Sequence, residues 1–377
     1  MQPATTRRRH LERVEVRLLR LPLVHFFETS FGRTTERHFV LVRVLGDGLI
    51  GYGECVADEH PFYSYEDVET AWHVIERYLA PRLLASPVEH PRDVYPLFRS
   101  VRGHNMAKAA LEMAMWDMSA RAAGVPLGRL LGGTRSAIAS GVSIGIQDSL
   151  DDLAAKVRAE LDAGYQRIKI KIKPGWDVTP VHMIRERFGP IALMVDANAA
   201  YTLEDAAHLA RLDDYDLMMI EQPLDYGDVE DHAALQRRLR TPICLDESIT
   251  SPRMAAYAIA AGACRIVNVK PGRVGGHRES IRVHDVCASA GVPVWHGGML
   301  ESGIGRAHNI HLASLPNFSL PGDIAASRRY YVPDLIEPPI EVRPDGTVPV
   351  PDGSGIGVNV VLDRIERATE RLVTISP

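Results

Sequence analysis

The chain has 377 residues, 46% of them hydrophobic and 24% charged, and a formal net charge of −5. This length can bury a large core, and the composition is ordinary for a globular protein. The small negative charge gives no electrostatic case for nucleic acid or an anionic membrane as a partner, and no apolar run approaches the roughly 18 residues that span a bilayer.

The N-terminus and the cysteines favour a cytoplasmic protein. Residues 1–20 are basic but lack the apolar core of about 7–15 residues that a secretory signal contains. The cysteines are scattered, with no C-x-x-C pair to indicate a zinc or redox motif, and are expected to be free thiols. They are Cys55, Cys244, Cys264 and Cys287.

Residues 1–130 are predicted to form an α+β capping domain. Residues 11–53 have the alternation of strands, and a Gly-Asp-Gly sequence within them is a hairpin signal. Residues 65–84 and 106–123 carry helical periodicity, and the second segment is rich in strong helix formers.

Residues 131–325 are predicted to form a (β/α)7β TIM-like barrel, because seven short apolar runs alternate with amphipathic stretches. The polar residues that close these runs are Ser143, Lys171, Asp196, Glu221, Asp246, Lys270 and His296. Their spacings are 28, 25, 25, 25, 24 and 26 residues, about one strand, one helix and two loops each. A doubly wound sheet is the alternative.

Residues 326–377 differ in composition from the predicted barrel. They are rich in Pro and Gly, as in PPIEVRPDGTVPVPDGSG. We expect irregular and hairpin structure that returns to the capping domain.

Three carboxylates are the first chemical signal. Asp196, Glu221 and Asp246 each follow an apolar strand, so in a barrel they should meet at the carboxyl face, where active sites are built. Converging carboxylates repel unless a cation neutralises them, and an all-oxygen set suits Mg²⁺, with Mn²⁺ or another divalent ion as a substitute. The alternative is that each caps a following helix. Asn198 and Glu247 would help to orient this site or act as cap and turn residues.

Lysines are the second signal. Only six of the 43 basic residues are lysines, which leaves 37 (43 − 6) arginines. A retained lysine is a candidate for work that arginine cannot do, because an ammonium can lose its proton. Strand alternation predicts that Lys169, Lys171 and Lys173 face the barrel interior, unless that strand face is solvated.

Buried lysines must pair with carboxylates or give up their protons. Lys270 ends a different strand across the ring, so a base is expected on either side of a metal-bound substrate. Removing a proton next to a carboxylate creates a second negative charge. A metal ion stabilises that enediolate, and a lysine of lowered pKa accepts the proton.

At this point the sequence resembles a known family. RIKIKIKPGWD, VDANAAYTLEDA, IEQPL, CLDES, VNVKPGRVGG and VWHGGMLESGIGRAHN occur in the order and spacing of the enolase superfamily, muconate-lactonising subgroup. The nearest resemblance is to its o-succinylbenzoate synthase / N-acylamino acid racemase branch. It extends from LPLVHFFETSFG at 21–32 to LPGDIAAS at 320–327.

The resemblance implies a role for each matching residue. Lys171 would be the principal acid/base, Lys169 its modulating neighbour and Lys270 the opposing lysine, with Asp196, Glu221 and Asp246 on the Mg²⁺ ligands. Substrate-pocket positions fall on Ser143, Phe27, Gly298 and Met299. Arg273 matches a supporting position of racemase-competent members; the alternative is a surface arginine. His296, His104, His308 and His311 are expected to be satisfied structural histidines.

The implied reaction is metal-dependent dehydration of 2-succinyl-6-hydroxy-2,4-cyclohexadiene-1-carboxylate to o-succinylbenzoate, with N-succinyl or N-acylamino acid racemisation as a second activity. Racemisation as the main activity is the alternative. Dipeptide epimerase ranks lower because no D-x-D motif follows HGGMLESG, and cycloisomerase or an inactive metal-binding homologue ranks lower still. The expected partner is a small carboxylate substrate, with no nucleic acid or membrane, and a homo-oligomer is expected.

Overall fold

A computed structural model describes residues 10–377. Residues 1–9, which begin the predicted capping domain and the basic N-terminus, lie outside the described residues. Within 10–377, no helix combines the length and apolar character that a membrane crossing requires.

The N-terminal unit is an antiparallel sheet covered by helices. Its first strands are β1 (Leu11–Thr29), β2 (Gly32–Gly46) and β3 (Leu49–Cys55). The predicted Gly-Asp-Gly hairpin is confirmed: Asp47 and Gly48 have φ of 50° and 71°, as a two-residue turn with both central residues left-handed requires.

Both predicted helical segments of this unit are confirmed. The helices are α1 (Val68–Val74), a π-helical segment (Ile75–Leu79), α2 (Ala80–Leu84), a 3₁₀ turn (Pro91–Asp93), α3 (Val94–Leu97), α4 (Asn105–Ala123) and α5 (Leu127–Leu131). Helix α4 lies against β3 at close range. A Cβ on Gly51 or Gly53 would stand 2.0 or 1.9 Å from a carbonyl oxygen of α4, so only glycine permits this approach.

The second unit is a parallel half-barrel of seven strands. After β4 (Ala137–Ala139), they are β5 (Gly141–Ile144), β6 (Arg167–Lys171), β7 (Leu193–Asp196), β8 (Ile220–Glu221), β9 (Ile243–Leu245), β10 (Ile266–Val269) and β11 (Val294–His296). They pair in chain order from β5 to β11. A doubly wound sheet reverses its strand order, so that alternative is wrong.

Helices follow the strands and cover the outer face. They are α6 (Leu150–Asp162), α7 (Val178–Phe188), α8 (Ala206–Leu209) with flanking 3₁₀ turns (Leu203–Asp205 and Ala210–Tyr215), α9 (Val229–Gln236), α10 (Pro252–Ala260), α11 (Pro271–Val274), α12 (His277–Ser289) and α13 (Gly303–Ala313). Strand residues that alternate with the site residues pack against these helices. On the inner face, Met194, Met219, Cys244, Ile266 and Trp295 form a separate buried cluster.

A segment after α13 contacts both edge strands of the parallel sheet. The Asn317 carbonyl accepts a hydrogen bond from the Val294 amide in β11 at 3.2 Å. The Gly322 carbonyl accepts one from the Gly141 amide in β5 at 2.7 Å. Residues 317–322 therefore lie between the last and first strands.

The C-terminal residues return to the N-terminal sheet. They comprise a 3₁₀ turn (Ser327–Arg329), β12 (Ile336–Glu337), β13 (Thr347–Pro349), β14 (Asn359–Val360), α14 (Leu362–Ala368) and β15 (Thr369–Ile375). Strand β15 pairs antiparallel with β1, and β13 pairs antiparallel with β4. This segment thus contacts both units.

Two buried carboxylates of the N-terminal unit accept hydrogen bonds from helix N-termini of the half-barrel. Glu112 accepts from the amides of His277 at 2.7 Å and Arg278 at 2.9 Å, at the start of α12. Glu54 accepts from the Ser302 amide, at the start of α13, at 3.0 Å. Burial raises the pKa of Glu112 to about 8 and that of Glu54 to about 7.

Glu112 should make folding stability depend on pH. Its pKa rises from an ordinary 4.5 to about 8 in the folded protein, so its contribution to stability is complete below pH 4.5 and is lost as the pH rises through about 8. Relative to Glu112→Gln, wild-type stability should fall by more than about 1 kcal/mol between about pH 5 and pH 8, measured by urea denaturation. Glu89→Gln, at an exposed carboxyl, should keep the wild-type pH profile. A pH-independent difference for Glu112→Gln would contradict this assignment.

Candidate active site

Three carboxylates meet at the carboxyl ends of β7, β8 and β9. Lys171 pairs with Asp196 in register, and Asp196 pairs with Glu221, so consecutive strands end at one level. Asp246 follows β9 directly. Asp196, Glu221 and Asp246, here called the carboxylate ring, are at most 1% exposed.

The alternative that these carboxylates cap helices is wrong. Helices α9 and α10, which follow β8 and β9, have Asp228 and Ser251 at their N-caps, and Thr202 occupies that position after β7. Each ring carboxylate contacts a lysine, and the one backbone amide that Asp196 accepts from, that of Asn198, lies in its own loop and not at a helix N-terminus.

Lys169 and Lys171 lie against the ring at the end of β6. The Lys171 ammonium is 2.5 Å from Asp196 Oδ2, and it donates to Asn198 Oδ1 at 2.7 Å. The Lys169 ammonium is 2.8 Å from Glu221 Oε2 and 3.2 Å from Asp196 Oδ2. Both lysines therefore contact the same Asp196 oxygen.

Lys270 lies on the far side of the ring, after β10. Its ammonium is 2.8 Å from Asp246 Oδ2 and 3.2 Å from the Tyr63 hydroxyl. Arg273 donates to the other Asp246 oxygen and, at 2.8 Å, to the Ile249 carbonyl. Because Arg273 is 5% exposed, the surface alternative for it is wrong.

The lysines differ from expectation in their proton affinity. Burial alone would lower the pKa of Lys169, but Asp323, Glu221 and Asp196 raise it above its usual value. Burial likewise acts to lower the pKa of Lys270, and nearby Tyr63 and Glu221 raise it. Both pKa values are therefore raised, because the carboxylates and Tyr63 outweigh the effect of burial.

Lys173 does not face the interior. It lies beyond the end of β6, its side chain is 41% exposed, and its ammonium is 3.5 Å from Glu28. The prediction for Lys173 is wrong because the strand ends at Lys171, so the alternation cannot continue to it.

A pocket with about 670 Å³ of empty space lies over the ring, bounded on one side by the N-terminal unit. Phe27, Ser143, Gly298 and Met299, predicted from the resemblance as substrate positions, all line it, together with Lys169, Lys171 and Lys270. The Ser143 hydroxyl is buried and has no hydrogen-bond partner within residues 10–377, so it is available to a ligand.

Two pocket residues that contact the site lysines were missed in the sequence. Asp323 accepts from Lys169 at 2.6 Å and from Arg167 at 2.7 Å. It lies 27 residues (323 − 296) after His296, so one more step of the 25-residue repeat could have indicated it. Tyr63 comes from a loop of the N-terminal unit, and no spacing in the sequence points to it.

Asn198 and Glu247 are hydrogen-bonded to each other next to the carboxylate ring. The Asn198 side-chain amide donates to Glu247 Oε1 at 3.1 Å, and both side chains are at least nine-tenths buried. Gln222 is also buried and accepts from the backbone amides of Asp246 at 3.0 Å and Ser248 at 3.3 Å. These contacts hold the loops after β7, β8 and β9 together.

His296, His308 and His311 are buried and His104 is partly buried, but their ring nitrogens are not all hydrogen-bonded. His308 bonds to the Tyr52 carbonyl at 2.8 Å, and His311 bonds to the Ile356 carbonyl at 3.1 Å. In the described chain, neither ring nitrogen of His296 has a partner, and Nδ1 of His104 has none either. The expectation of satisfied side chains is therefore wrong for these two.

The environment of His296 gives no support to a role as a base. Its ring stacks on Phe318 at 6.1 Å, in the layer between sheet and helices. Burial lowers its pKa to about 3.

The residues fit a divalent cation. The ring offers oxygen donors alone, as Mg²⁺-type ions prefer. Glu247 Oε2 is buried and without a partner in the described structure, and burial and Asp196 raise the pKa of Glu247 to about 7. Burial and Asp196 also raise the pKa of Glu221. The unpartnered Glu247 oxygen is thus free to meet a cation, although among residues 10–377 no three His, Cys, Asp or Glu side chains are arranged as a metal cage.

Comparison with known families agrees with this geometry. A family model described as "Mandelate racemase / muconate lactonizing enzyme, N-terminal domain" matches residues 13–132. A second, described as "Enolase C-terminal domain-like", matches residues 152–364. The chain belongs to the enolase superfamily. It is therefore an enzyme of this superfamily, whose members use a divalent metal ion.

Similar proteins span nearly the whole chain. An o-succinylbenzoate synthase from Geobacillus kaustophilus is 51% identical over 362 residues, which cover 96% of each chain. An N-succinylamino acid racemase from Thermus thermophilus is 50% identical over 359 residues, covering 95% of this chain and 97% of that one. The solved structure of an enolase superfamily member from Listeria innocua has a TM-score of 0.94 at 39% identity, covering 98% of this chain and 99% of that one.

Asp323→Asn should be strongly destabilising. The substitution leaves the Arg167 guanidinium and the Lys169 ammonium short of a buried counter-charge, and breaking a buried pair costs about 3–5 kcal/mol. Burial would raise the pKa of Asp323, but Lys169 and Arg167 lower it to about 2. The difference in the free energy of unfolding between variant and wild type should therefore be fully present above pH 3.8, the ordinary pKa of aspartate. It should shrink as the pH falls through about 2. Denaturant titration measures it, with exposed Asp352→Asn as a silent control; equal midpoints for the two variants would refute the assignment.

Proposed function

We propose that this enzyme is an o-succinylbenzoate synthase that dehydrates 2-succinyl-6-hydroxy-2,4-cyclohexadiene-1-carboxylate, with N-succinyl or N-acylamino acid racemisation as a second activity. One observation carries the proposal. Lys171 ends β6 and Lys270 follows β10, so the three strands that bear the carboxylate ring lie between two lysines that line one pocket. A lysine thus stands on either side of the place where a substrate carboxylate would bind.

The proposed architecture is a closed (β/α)7β barrel with a capping domain. The hydrogen bonds of residues 317–322 to both β11 and β5 support closure. We place the capping domain at 1–130, the barrel at 131–325 and the returning tail at 326–377. The pairing of β15 with β1 supports the return of the tail.

The proposed cofactor is Mg²⁺, with Mn²⁺ as a substitute. Asp196, Glu221 and Asp246 would hold it, since the ring supplies three hard, negatively charged oxygen donors. When bound, the ion stabilises the second negative charge that develops on the substrate carboxylate.

In the dehydration, Lys171 would remove the proton next to the substrate carboxylate. The same ammonium would then protonate the departing hydroxyl, so one side chain serves as base and acid. Lys270 would stabilise the enediolate by its positive charge. The free hydroxyl of Ser143 would hydrogen-bond the substrate, and Phe27 and Met299 would exclude water.

In the racemisation, the two lysines would exchange roles. One would remove the α-proton from one face, and the other would return a proton to the opposite face. Dehydration and racemisation share the enediolate, so the same side chains serve both. Racemisation as the main activity is our second candidate, because relatives carrying either name are equally similar, at 51% and 50% identity.

Other activities have weaker support. Dipeptide epimerisation lacks its D-x-D sequence, since Ala325 stands two residues after Asp323 and the Asp323 carboxylate is bound by Arg167 and Lys169. Nothing in the pocket favours cycloisomerisation. An inactive homologue would not need to keep both opposing lysines and the whole ring.

The proposal is tested by comparing kcat/KM for the cyclohexadiene acid with that for a panel of N-acylated amino acids. A higher value for the cyclohexadiene acid supports dehydration as the principal reaction. A higher value for N-succinylamino acids would make racemisation principal. Absence of turnover and of α-proton exchange in D₂O, with N-succinyl-phenylalanine as the exchange probe, would refute both.

Substitution of each lysine should separate its roles. Lys171→Arg keeps the charge but cannot accept a proton, so kcat for dehydration should fall by about 10²–10⁴-fold while the circular dichroism spectrum stays unchanged. Lys270→Ala should abolish racemisation and only weaken dehydration. A racemase indifferent to Lys270→Ala, or a dehydratase indifferent to Lys171→Arg, would contradict the two-lysine assignment.

Metal removal should silence the enzyme. EDTA should abolish both reactions, and excess Mg²⁺ or Mn²⁺ should restore them. Because the ion would bind only the folded state, saturating Mg²⁺ should also raise Tm. The rise in Tm should be smaller for the Asp246→Asn variant. Full activity in EDTA, or a Tm indifferent to Mg²⁺, would speak against the ring as a metal site.

A further inference from the structure

Asn198 makes a contact with Lys171 that no other side chain among residues 10–377 duplicates. Its Oδ1 accepts from the Lys171 ammonium at 2.7 Å. The other acceptor of that ammonium, Asp196 Oδ2, is shared with Lys169 at 3.2 Å. Within the described part of the chain, Asn198 Oδ1 is thus the acceptor that Lys171 does not share with Lys169.

The orientation of the Asn198 amide follows from its two neighbours. An ammonium can only donate, and a carboxylate can only accept. The amide lies between Lys171 and Glu247, so the oxygen must face the lysine and the nitrogen must face the carboxylate, as the 3.1 Å contact to Glu247 Oε1 shows. The flipped amide would oppose donor to donor and acceptor to acceptor. Glu247 therefore fixes which amide atom Lys171 meets.

The backbone of Asn198 is also held. Its φ of 43° is left-handed, a conformation that asparagine tolerates better than most residues. The backbone N–H of Asn198 donates to Asp196 Oδ1 at 3.0 Å, and its backbone carbonyl accepts from the Ser30 hydroxyl of the N-terminal unit at 3.3 Å. The side chain is consequently presented from a fixed position between the two units.

These contacts define one direction on the Lys171 nitrogen. A neutral amine has two N–H groups and one lone pair. With one N–H committed to Asn198 and the other to Asp196, the remaining position is the lone pair, or the third N–H of the ammonium. Lys171 lines the pocket and is otherwise buried, so this position faces the pocket.

We propose that Asn198, oriented by Glu247, is the positioning residue that directs the reactive position of the Lys171 nitrogen into the substrate pocket. It acts on one lysine only, since Lys270 is held instead by Asp246 and Tyr63. This inference rests on the proposed two-lysine chemistry. It adds that proton exchange on one face of the substrate can be impaired without affecting exchange on the other face.

The test is α-proton exchange in D₂O by the Mg²⁺-loaded enzyme, measured by proton NMR for each pure enantiomer of N-succinyl-phenylalanine. Each lysine can exchange the proton on its own side without inversion. Lys171→Ala and Lys270→Ala first establish which enantiomer each lysine serves. Rates are compared at the plateau of each variant's pH profile, so that a shifted pKa is not mistaken for a loss of positioning.

Asn198→Gly removes the amide and keeps a residue that accepts the left-handed backbone. Exchange of the enantiomer served by Lys171 should fall by about 10²-fold, the cost of a misplaced reacting group. Exchange of the other enantiomer should stay within about threefold of wild type. Equal losses on both faces would indicate a merely structural role, and an unchanged Lys171 face would show that the amide is dispensable; either result overturns the proposal.

The conservative control exchanges the amide and the carboxylate between positions 198 and 247. Asn198→Asp keeps the acceptor for Lys171 but places the new carboxylate against that of Glu247. Exchange of the enantiomer that Lys171 serves should therefore slow. Adding Glu247→Gln restores a donor opposite an acceptor and should recover most of that rate. Absence of recovery would overturn the role of Glu247.

Tyr63→Phe provides a matched control on the opposite side. It removes a contact of Lys270 and should slow exchange of the enantiomer that Lys270 serves. If it slowed the Lys171 face instead, the face-specific interpretation would fail. Wild-type enzyme that exchanges neither enantiomer would refute the proposed racemase activity, an outcome distinct from all of these.

Discussion

The constraint on which this molecule depends is negative charge concentrated at the ends of neighbouring parallel strands. The carboxylate ring is almost fully buried, and charges that close together repel strongly away from water. Lys169, Lys171 and Lys270 offset that charge at hydrogen-bonding distance. The side chains that make the ring tolerable are therefore the same ones that the proposed chemistry needs.

The N-terminal unit completes the site and does not merely cover it. Tyr63 bonds to Asp246 at 3.0 Å and to Lys270 at 3.2 Å, and Phe27 lines the pocket. Glu112 and Glu54 join the same unit to the helices that follow β10 and β11. Since these helices follow the strand ends that carry the pocket residues, anchoring them also limits how far the pocket can deform.

Much of the fold and of the candidate site could be predicted because the signals are local and periodic. Strand alternation placed Lys169 and Lys171 on the inner face, and the 25-residue repeat indicated the level at which the ring lies. The failures arise where that periodicity stops. Lys173 lies past the end of β6, and the surroundings of His296 and the pKa of Lys270 depend on side chains from other segments.

By itself, the sequence determined which residues end the parallel strands and which enzyme superfamily the chain resembles, because spacing along the chain carries that information. Only the tertiary structure decided which group each of them touches. Tyr63 reaches Lys270 across 207 residues, Asp323 reaches Lys169 from the segment that lies between the first and last strands, and Glu247 meets Asn198 from a different strand end. Such contacts follow from how separate elements pack in space, and no local pattern in the chain encodes them.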